Sequence, residues 1–129
     1  MSLLDVRELS VDYLAGGAAL HAVEGVSFAL EEGRSLGIVG ESGCGKTTVM
    51  LSLLRLLPQN GRIVGGQILF EGQDLLQLTE AQMRRVRWHR ISMVFQGAMN
   101  ALNPVRTIES QIVEALQVHG VASSARAAK

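Results

Sequence analysis

The chain is poor in the residues that build covalent or metal frameworks: its 129 residues include one cysteine, three histidines and two prolines. A lone Cys44 makes neither an internal disulfide nor a cysteine-based metal cluster, which fits a reducing compartment. His21, His89 and His119 are too scattered along the sequence to read as a metal site. Net charge is also missing, because 12 Lys and Arg balance 12 Asp and Glu. That balance argues against a general binder of nucleic acid or acidic ligands. No apolar run approaches the roughly 20 residues needed to span a bilayer as a helix. The start, Met1 to Glu8, carries acids early and no basic region followed by an apolar core, so it does not read as a secretory signal. There are no internal repeats. What remains is 47% hydrophobic content at the length of one domain. This is the composition of a globular protein with a core, cytosolic by default.

One stretch organises the rest. Gly40-Glu41-Ser42-Gly43-Cys44-Gly45-Lys46-Thr47-Thr48 meets the pattern of a phosphate-binding loop: Gly40, four residues, then Gly45-Lys46-Thr47. Gly43 adds a third glycine where backbone must approach an anion. Glycines reach positive φ and carry no Cβ, so successive N–H groups can turn inward around phosphate oxygens. A following helix adds unpaired N–H donors and the positive end of its dipole, favouring a di- or triphosphate. In such a loop Lys46 reaches the β- and γ-phosphates, the Thr47 hydroxyl ligates Mg²⁺, and Thr48 donates to the α-phosphate.

The context has the required order. Ser35 to Val39 is short, apolar and β-branched, as a buried strand should be, and Thr47 to Leu57 has helical spacing. Upstream, Leu4, Val6, Leu9, Val11 and Tyr13 alternate with one slip, which predicts a bulged strand. The turn Ala15-Gly16-Gly17-Ala18 and a strand within Leu20 to Leu30 complete an antiparallel hairpin. Downstream, Ile63-Val64 and Gln67 to Phe70 read as β structure. Thr79-Glu80-Ala81-Gln82 reads as a capping box that starts a helix running into Arg87. Ile91 to Phe95 reads as another strand with Gln96 at its end, and Gly97 to Pro104 as loop. Thr107 caps a helix from Ile108 to His119, stopped by Gly120.

With Gln96 in place, the chain resembles the N-terminal part of the ATP-binding subunits of ABC transporters. Gly40 to Thr47, Met93-Val94-Phe95-Gln96 and Met99-Asn100-Ala101-Leu102-Asn103-Pro104 look most like the dipeptide, oligopeptide and nickel importers. The resemblance runs from Leu4 to about His119. It implies an α/β fold, with a P-loop NTPase core of the ABC ATPase type and an N-terminal antiparallel β subdomain, cut off before the end of the domain. The divisions expected are a hairpin region (1–34), a core from glycine loop to glutamine loop (35–96) and the start of a helical subdomain (97–129).

The resemblance also implies roles. Tyr13 becomes the aromatic that stacks on adenine, and Gln96 the glutamine that touches Mg²⁺ or its water. Lys46 and Gln96 are then the residues closest to the chemistry. The ligands implied are ATP and Mg²⁺. The partners are integral-membrane permease subunits and a second ATP-binding subunit, on the cytoplasmic face of the inner membrane, with no nucleic acid. Two other classes fit the residues: a non-catalytic module that reports ATP occupancy, and an ABC-type ATPase acting on nucleic acid. Gly97-Ala98 departs from the Asp-Pro that close relatives often carry there. The family's signature sequence, acidic strand end and switch histidine do not occur in these 129 residues, so no general base can be nominated. Arg84, Arg85, Arg87, Trp88, His89 and Arg90 form one basic-aromatic cluster, expected to be a solvated helix end. Asp74 and Glu80 are expected to be capping or solvated groups.

Overall fold

The computed structural model describes residues 2–121, which fall into two compact units dividing between Thr79 and Glu80. In the first unit, β1 (Ser2–Ala15) pairs antiparallel with β2 (Ala18–Glu31) across a turn in which Gly16 and Gly17 both take positive φ. Helix α1 (Lys46–Leu53) follows the glycine loop. Strand β3 (Gly61–Phe70) pairs antiparallel with the other edge of β1, and a two-residue β4 (Gln73–Asp74) closes the sheet in the order β2-β1-β3-β4.

The slip in the β1 pattern is a bulge. Register shifts fall between Val6 and Leu9 on the β2 side and between Arg7 and Ser10 on the β3 side, and Glu8 takes φ 47°. Opposite it, Gly66 sits at φ 94°, where a Cβ would lie 2.5 Å from the carbonyl oxygens of both Arg7 and Glu8. Only glycine lets the two backbones come that close. Val6, Leu9, Val11, Val23, Val49, Leu54, Ile68, Leu75 and Leu78 are buried, so the core lies between this sheet, α1 and the segment after β4. Asp74 caps the 3₁₀ turn Leu75–Gln77, its Oδ1 accepting from the Leu76 N–H at 3.0 Å.

The second unit contains α2 (Glu80–Val86), a 3₁₀ turn at Ala98–Ala101 and α3 (Ile108–Val118). Thr107 caps α3 as its sequence predicts, its Oγ1 accepting from the Ser110 N–H at 3.2 Å, and Gly120 leaves the helix at φ 69°. Gln111 pins the preceding loop: its Oε1 accepts from the Asn103 N–H at 2.8 Å and its Nε2 donates to the Asn103 carbonyl at 3.1 Å. Residues 122–129, the small-residue tail, lie outside the described residues.

Three expectations need correction. Neither Ser35 to Val39 nor Ile91 to Phe95 joins a sheet among the described residues; the latter shows only an isolated bridge between Ile91 and Arg87. A strand buried on both faces requires neighbours on both edges, and β-branched composition alone cannot supply them. Val39 is accordingly 95% exposed and Val94 91%. Helix α1 ends at Leu53 rather than Leu57, because Arg55 turns left-handed at φ 53° and its guanidinium donates to the carbonyls of Leu75 and Leu78, the latter at 2.6 Å.

Candidate functional site

The glycine loop is shaped by what surrounds it. Gly43 and Gly45 take φ 81° and 96°, and Gly45 is the N-cap of α1 with no side-chain cap bond. A Cβ on Gly45 would lie 2.8 Å from the carbonyl oxygen of Ala22 and 3.3 Å from Val23, so β2 runs directly against the loop. A Cβ on Gly40 would lie 2.6 Å from the Cys44 sulfur. The loop therefore closes on itself at Gly40 and Cys44 and rests on the sheet at Gly45. Glu41, Ser42, Gly43 and Cys44 are exposed along its outer curve.

Lys46, the first residue of α1, folds back over the loop. Its Nζ donates to the carbonyls of Gly40 at 2.5 Å and Glu41 at 2.6 Å and lies 3.4 Å from the Cys44 sulfur. The cation is thus held at the mouth of the ring by groups that an anion can replace. The neighbouring threonines diverge. Thr47 is exposed beside the loop, whereas Thr48 is 9% exposed and faces the sheet. One turn on, Ser52 is fully buried and its hydroxyl donates to the Thr48 carbonyl at 2.7 Å.

Tyr13 reaches this region from the end of β1. Its hydroxyl lies 3.2 Å from Thr48 Oγ1. On β3, Gly61 is its ladder partner, and the neighbouring Leu14 and Asn60 exchange two hydrogen bonds, Leu14 N–H to the Asn60 carbonyl at 2.8 Å and Asn60 Nδ2 to the Leu14 carbonyl at 3.3 Å. The structure therefore brings Tyr13 together with Thr48, the last residue of the glycine stretch. Sequence reading did not single out Gly61 or Asn60, because only the β1–β3 register places them beside Tyr13.

Gln96 belongs to the second unit, where it is exposed in the turn before Ala98–Ala101, and Gly97 takes φ 71°. The basic-aromatic cluster is divided. Arg87 turns to Glu80 at 2.6 Å and is only 15% exposed, while Arg84 is 76% and Trp88 68% exposed. His89 stacks on His119 with ring centroids 6.2 Å apart, a proximity that sequence spacing hid. Among the described residues, no group of three or more His, Cys, Asp or Glu is placed to hold a metal. Nor is any helix among them long and apolar enough to cross a membrane.

An antiparallel β subdomain feeding a glycine loop and its helix is the fold of an ABC-type ATPase cassette. Residues 23–129 match the model of the family described as ABC transporter, and the chain belongs to that family. It is 51% identical over 126 residues to the probable peptide ABC transporter ATP-binding protein y4tR of Sinorhizobium fredii, covering 97% of this chain and 38% of that protein. It is 43% identical over 128 residues to the dipeptide transport ATP-binding protein DppD of Bacillus subtilis, covering 98% of this chain and 38% of that protein. Among solved structures, the dimeric structure of MJ0796, a bacterial ABC transporter cassette, superposes with a TM-score of 0.73 at 19% identity, over 90% of this chain and 47% of that one. The chain thus spans 38% of each of the two named relatives and just under half of the solved cassette.

Proposed function

We propose that this chain carries the ATP-binding part of an importer ATPase, a subunit that couples ATP binding and hydrolysis to uptake of peptides or a related small solute. The observation that carries the reading is the closed Gly40 to Thr48 loop with Lys46 folded into its mouth. The printed names of the relatives, which specify peptide and dipeptide transport, support the substrate class.

The residues divide the work by chemistry. Loop N–H groups and the α1 N-terminus bind the phosphates, and Lys46 exchanges two carbonyl partners for β- and γ-phosphate oxygens. The exposed Thr47 hydroxyl is a hard oxygen ligand suited to Mg²⁺, and the neutral Gln96 amide supplies another or holds its water. Thr48 meets the α-phosphate, and Tyr13 stacks on adenine. Phosphoryl transfer to water depends mainly on such positioning and charge neutralisation. The partners are membrane permease subunits and a second ATP-binding subunit, which would hold the chain on the cytoplasmic face of the inner membrane.

The test is calorimetric titration of the 129-residue chain with ATP-Mg. Weak binding is expected, with no meaningful turnover, since the chain offers no general base. Lys46→Ala should weaken binding by roughly tenfold to a hundredfold, the worth of charge-assisted hydrogen bonds. Equal affinity in the variant would refute the nucleotide site. Failure of the subunit to co-purify with a permease would refute transport.

A further inference from the structure

Gly61 stands apart from most of the glycines of this chain. Ten of them take positive φ, a conformation that itself calls for glycine, but Gly61 does not. Its backbone would accept alanine. What it lacks is room: an added Cβ would lie 2.9 Å from Tyr13 Cε1, 3.1 Å from Leu57 Cβ and 3.3 Å from the Pro58 carbonyl oxygen. Two of these three neighbours, a Cβ and a main-chain oxygen, are fixed by the chain after α1. The third is an aromatic ring on a rotatable side chain, so the ring is what must give way.

The opposite end of that ring is also fixed. The Tyr13 hydroxyl meets Thr48 Oγ1 at 3.2 Å, and the paired bonds between Leu14 and Asn60 hold the two strands together beside it. Thr48 has one proton to donate. When that proton goes to an anionic oxygen, the Tyr13 hydroxyl must be the donor in its bond to Thr48. The resulting chain of two hydrogen bonds ties the aromatic ring to the phosphate end of the loop.

We propose that Gly61 is a positioning residue for nucleobase recognition, its missing side chain forming the seat that sets the Tyr13 ring, with the ring's hydroxyl anchored on Thr48. This rests on the reading of Tyr13 as the residue that stacks on the base. Gly61 touches no ligand; it acts through the ring.

The test separates base from phosphate. Gly61→Ala, Tyr13→Phe and Tyr13→Ala are titrated with ATP-Mg and with inorganic tripolyphosphate, which has no base to stack. Gly61→Ala and Tyr13→Ala are expected to weaken ATP by roughly threefold to tenfold, the worth of a lost aromatic contact, and to weaken tripolyphosphate less, so that the ratio of the two affinities falls. Tyr13→Phe, which keeps the ring and loses its anchor, should fall between wild type and Tyr13→Ala. A second measurement needs no variant. Tyr13 is the only tyrosine in the chain, so a ring-labelled sample gives one set of tyrosine NMR signals, expected to show contacts to Gly61 Hα in the free chain and to adenine protons in the complex.

Absence of the Gly61 contact overturns the proposal, as does wild-type ATP affinity in Gly61→Ala when Tyr13→Ala is impaired. If Tyr13→Ala also leaves the ATP to tripolyphosphate ratio unchanged, the base-stacking reading itself fails and the proposal falls with it. An equal loss of affinity for both ligands in Gly61→Ala, with unchanged melting, also overturns it, because the loop rather than the ring has then moved.

Discussion

Gly43 and Gly45 allow the loop geometry to be tested by one chemistry at two positions. Both are left-handed, so Gly→Ala at either introduces backbone strain of about 1–2 kcal/mol. Their surroundings differ. A Cβ on Gly43 meets nothing within 4 Å, whereas one on Gly45 lies 2.8 Å from the Ala22 carbonyl oxygen. That oxygen belongs to a paired strand and cannot swing aside as a side chain would. Overpacking of this kind adds about 1–3 kcal/mol. Gly43→Ala should therefore cost about 1–2 kcal/mol and Gly45→Ala about 2–5 kcal/mol, the sum of strain and overpacking.

The assay is reversible unfolding by urea and by heat. At roughly 4 °C per kcal/mol for a chain of this size, the two variants should melt about 4–8 °C and about 8–20 °C below wild type. Gly43→Asn sharpens the comparison, since Asn enters the left-handed region more readily than Ala, and it should lose less than Gly43→Ala. Equal losses at the two positions would refute the close approach of β2 to the loop. A larger loss at Gly43 would mean that the loop is shaped differently from the structure described.

Other expectations follow from single contacts. Alkylation of Cys44 should block nucleotide binding, because its sulfur sits against Gly40 and 3.4 Å from Lys46 Nζ at the loop mouth, and saturating ATP-Mg should slow the labelling; an unchanged rate would count against the site. His21 Nδ1 pairs with Asp12 Oδ1 at 2.7 Å, and that hydrogen bond, then the Asp12 charge, raise the imidazole pKa above 6.5 against a smaller opposition from desolvation, with the least contribution from Glu24. Because the folded value is the higher one, this pair's stabilisation is complete below the unfolded value and disappears as pH rises through the folded value. An NMR titration should place the His21 midpoint above 6.5 and return it toward that value in Asp12→Asn; an identical midpoint in both proteins would rule out the pairing. Thr107→Ala should cost about 1 kcal/mol by removing the α3 cap, with Thr107→Ser near neutral, read as faster amide exchange confined to the first turn of that helix.

What the sequence disclosed followed local rules. The loop pattern, the Thr107 cap and the Gly120 stop each depend on residues within one turn of one another, and each appears where expected. The slip in the alternation of β1 was visible for the same reason. Ser35 to Val39 and Ile91 to Phe95 pair in no ladder among the described residues: composition records a preference for extended backbone, while a ladder depends on neighbours that composition does not name. The early end of α1 was hidden likewise, since Leu56 and Leu57 continue the apolar pattern but Arg55 finds its acceptors beyond β4. Gly61 and the His89–His119 stack are contacts between segments distant in sequence, and no spacing rule reaches them.

The bulge in β1 connects the legible part to the site. Side chains alternate along a strand, so with unbroken pairing the face that buries Val6 would carry Glu8, Ser10 and Asp12. The irregularity at Arg7 and Glu8 changes that parity. Leu9 and Val11 are fully buried instead, Tyr13 follows on their face toward Thr48, and Asp12 turns to the opposite side to meet the exposed His21. A one-residue slip in a strand exchanges its two faces, so the same mechanism, at the bulge that Gly66 accommodates, decides which side Tyr13 occupies. The bulge itself touches none of the loop glycines described. It determines that an aromatic ring rather than a carboxylate stands over α1, and the placement of the base-stacking candidate is a property of the whole β1–β3 ladder.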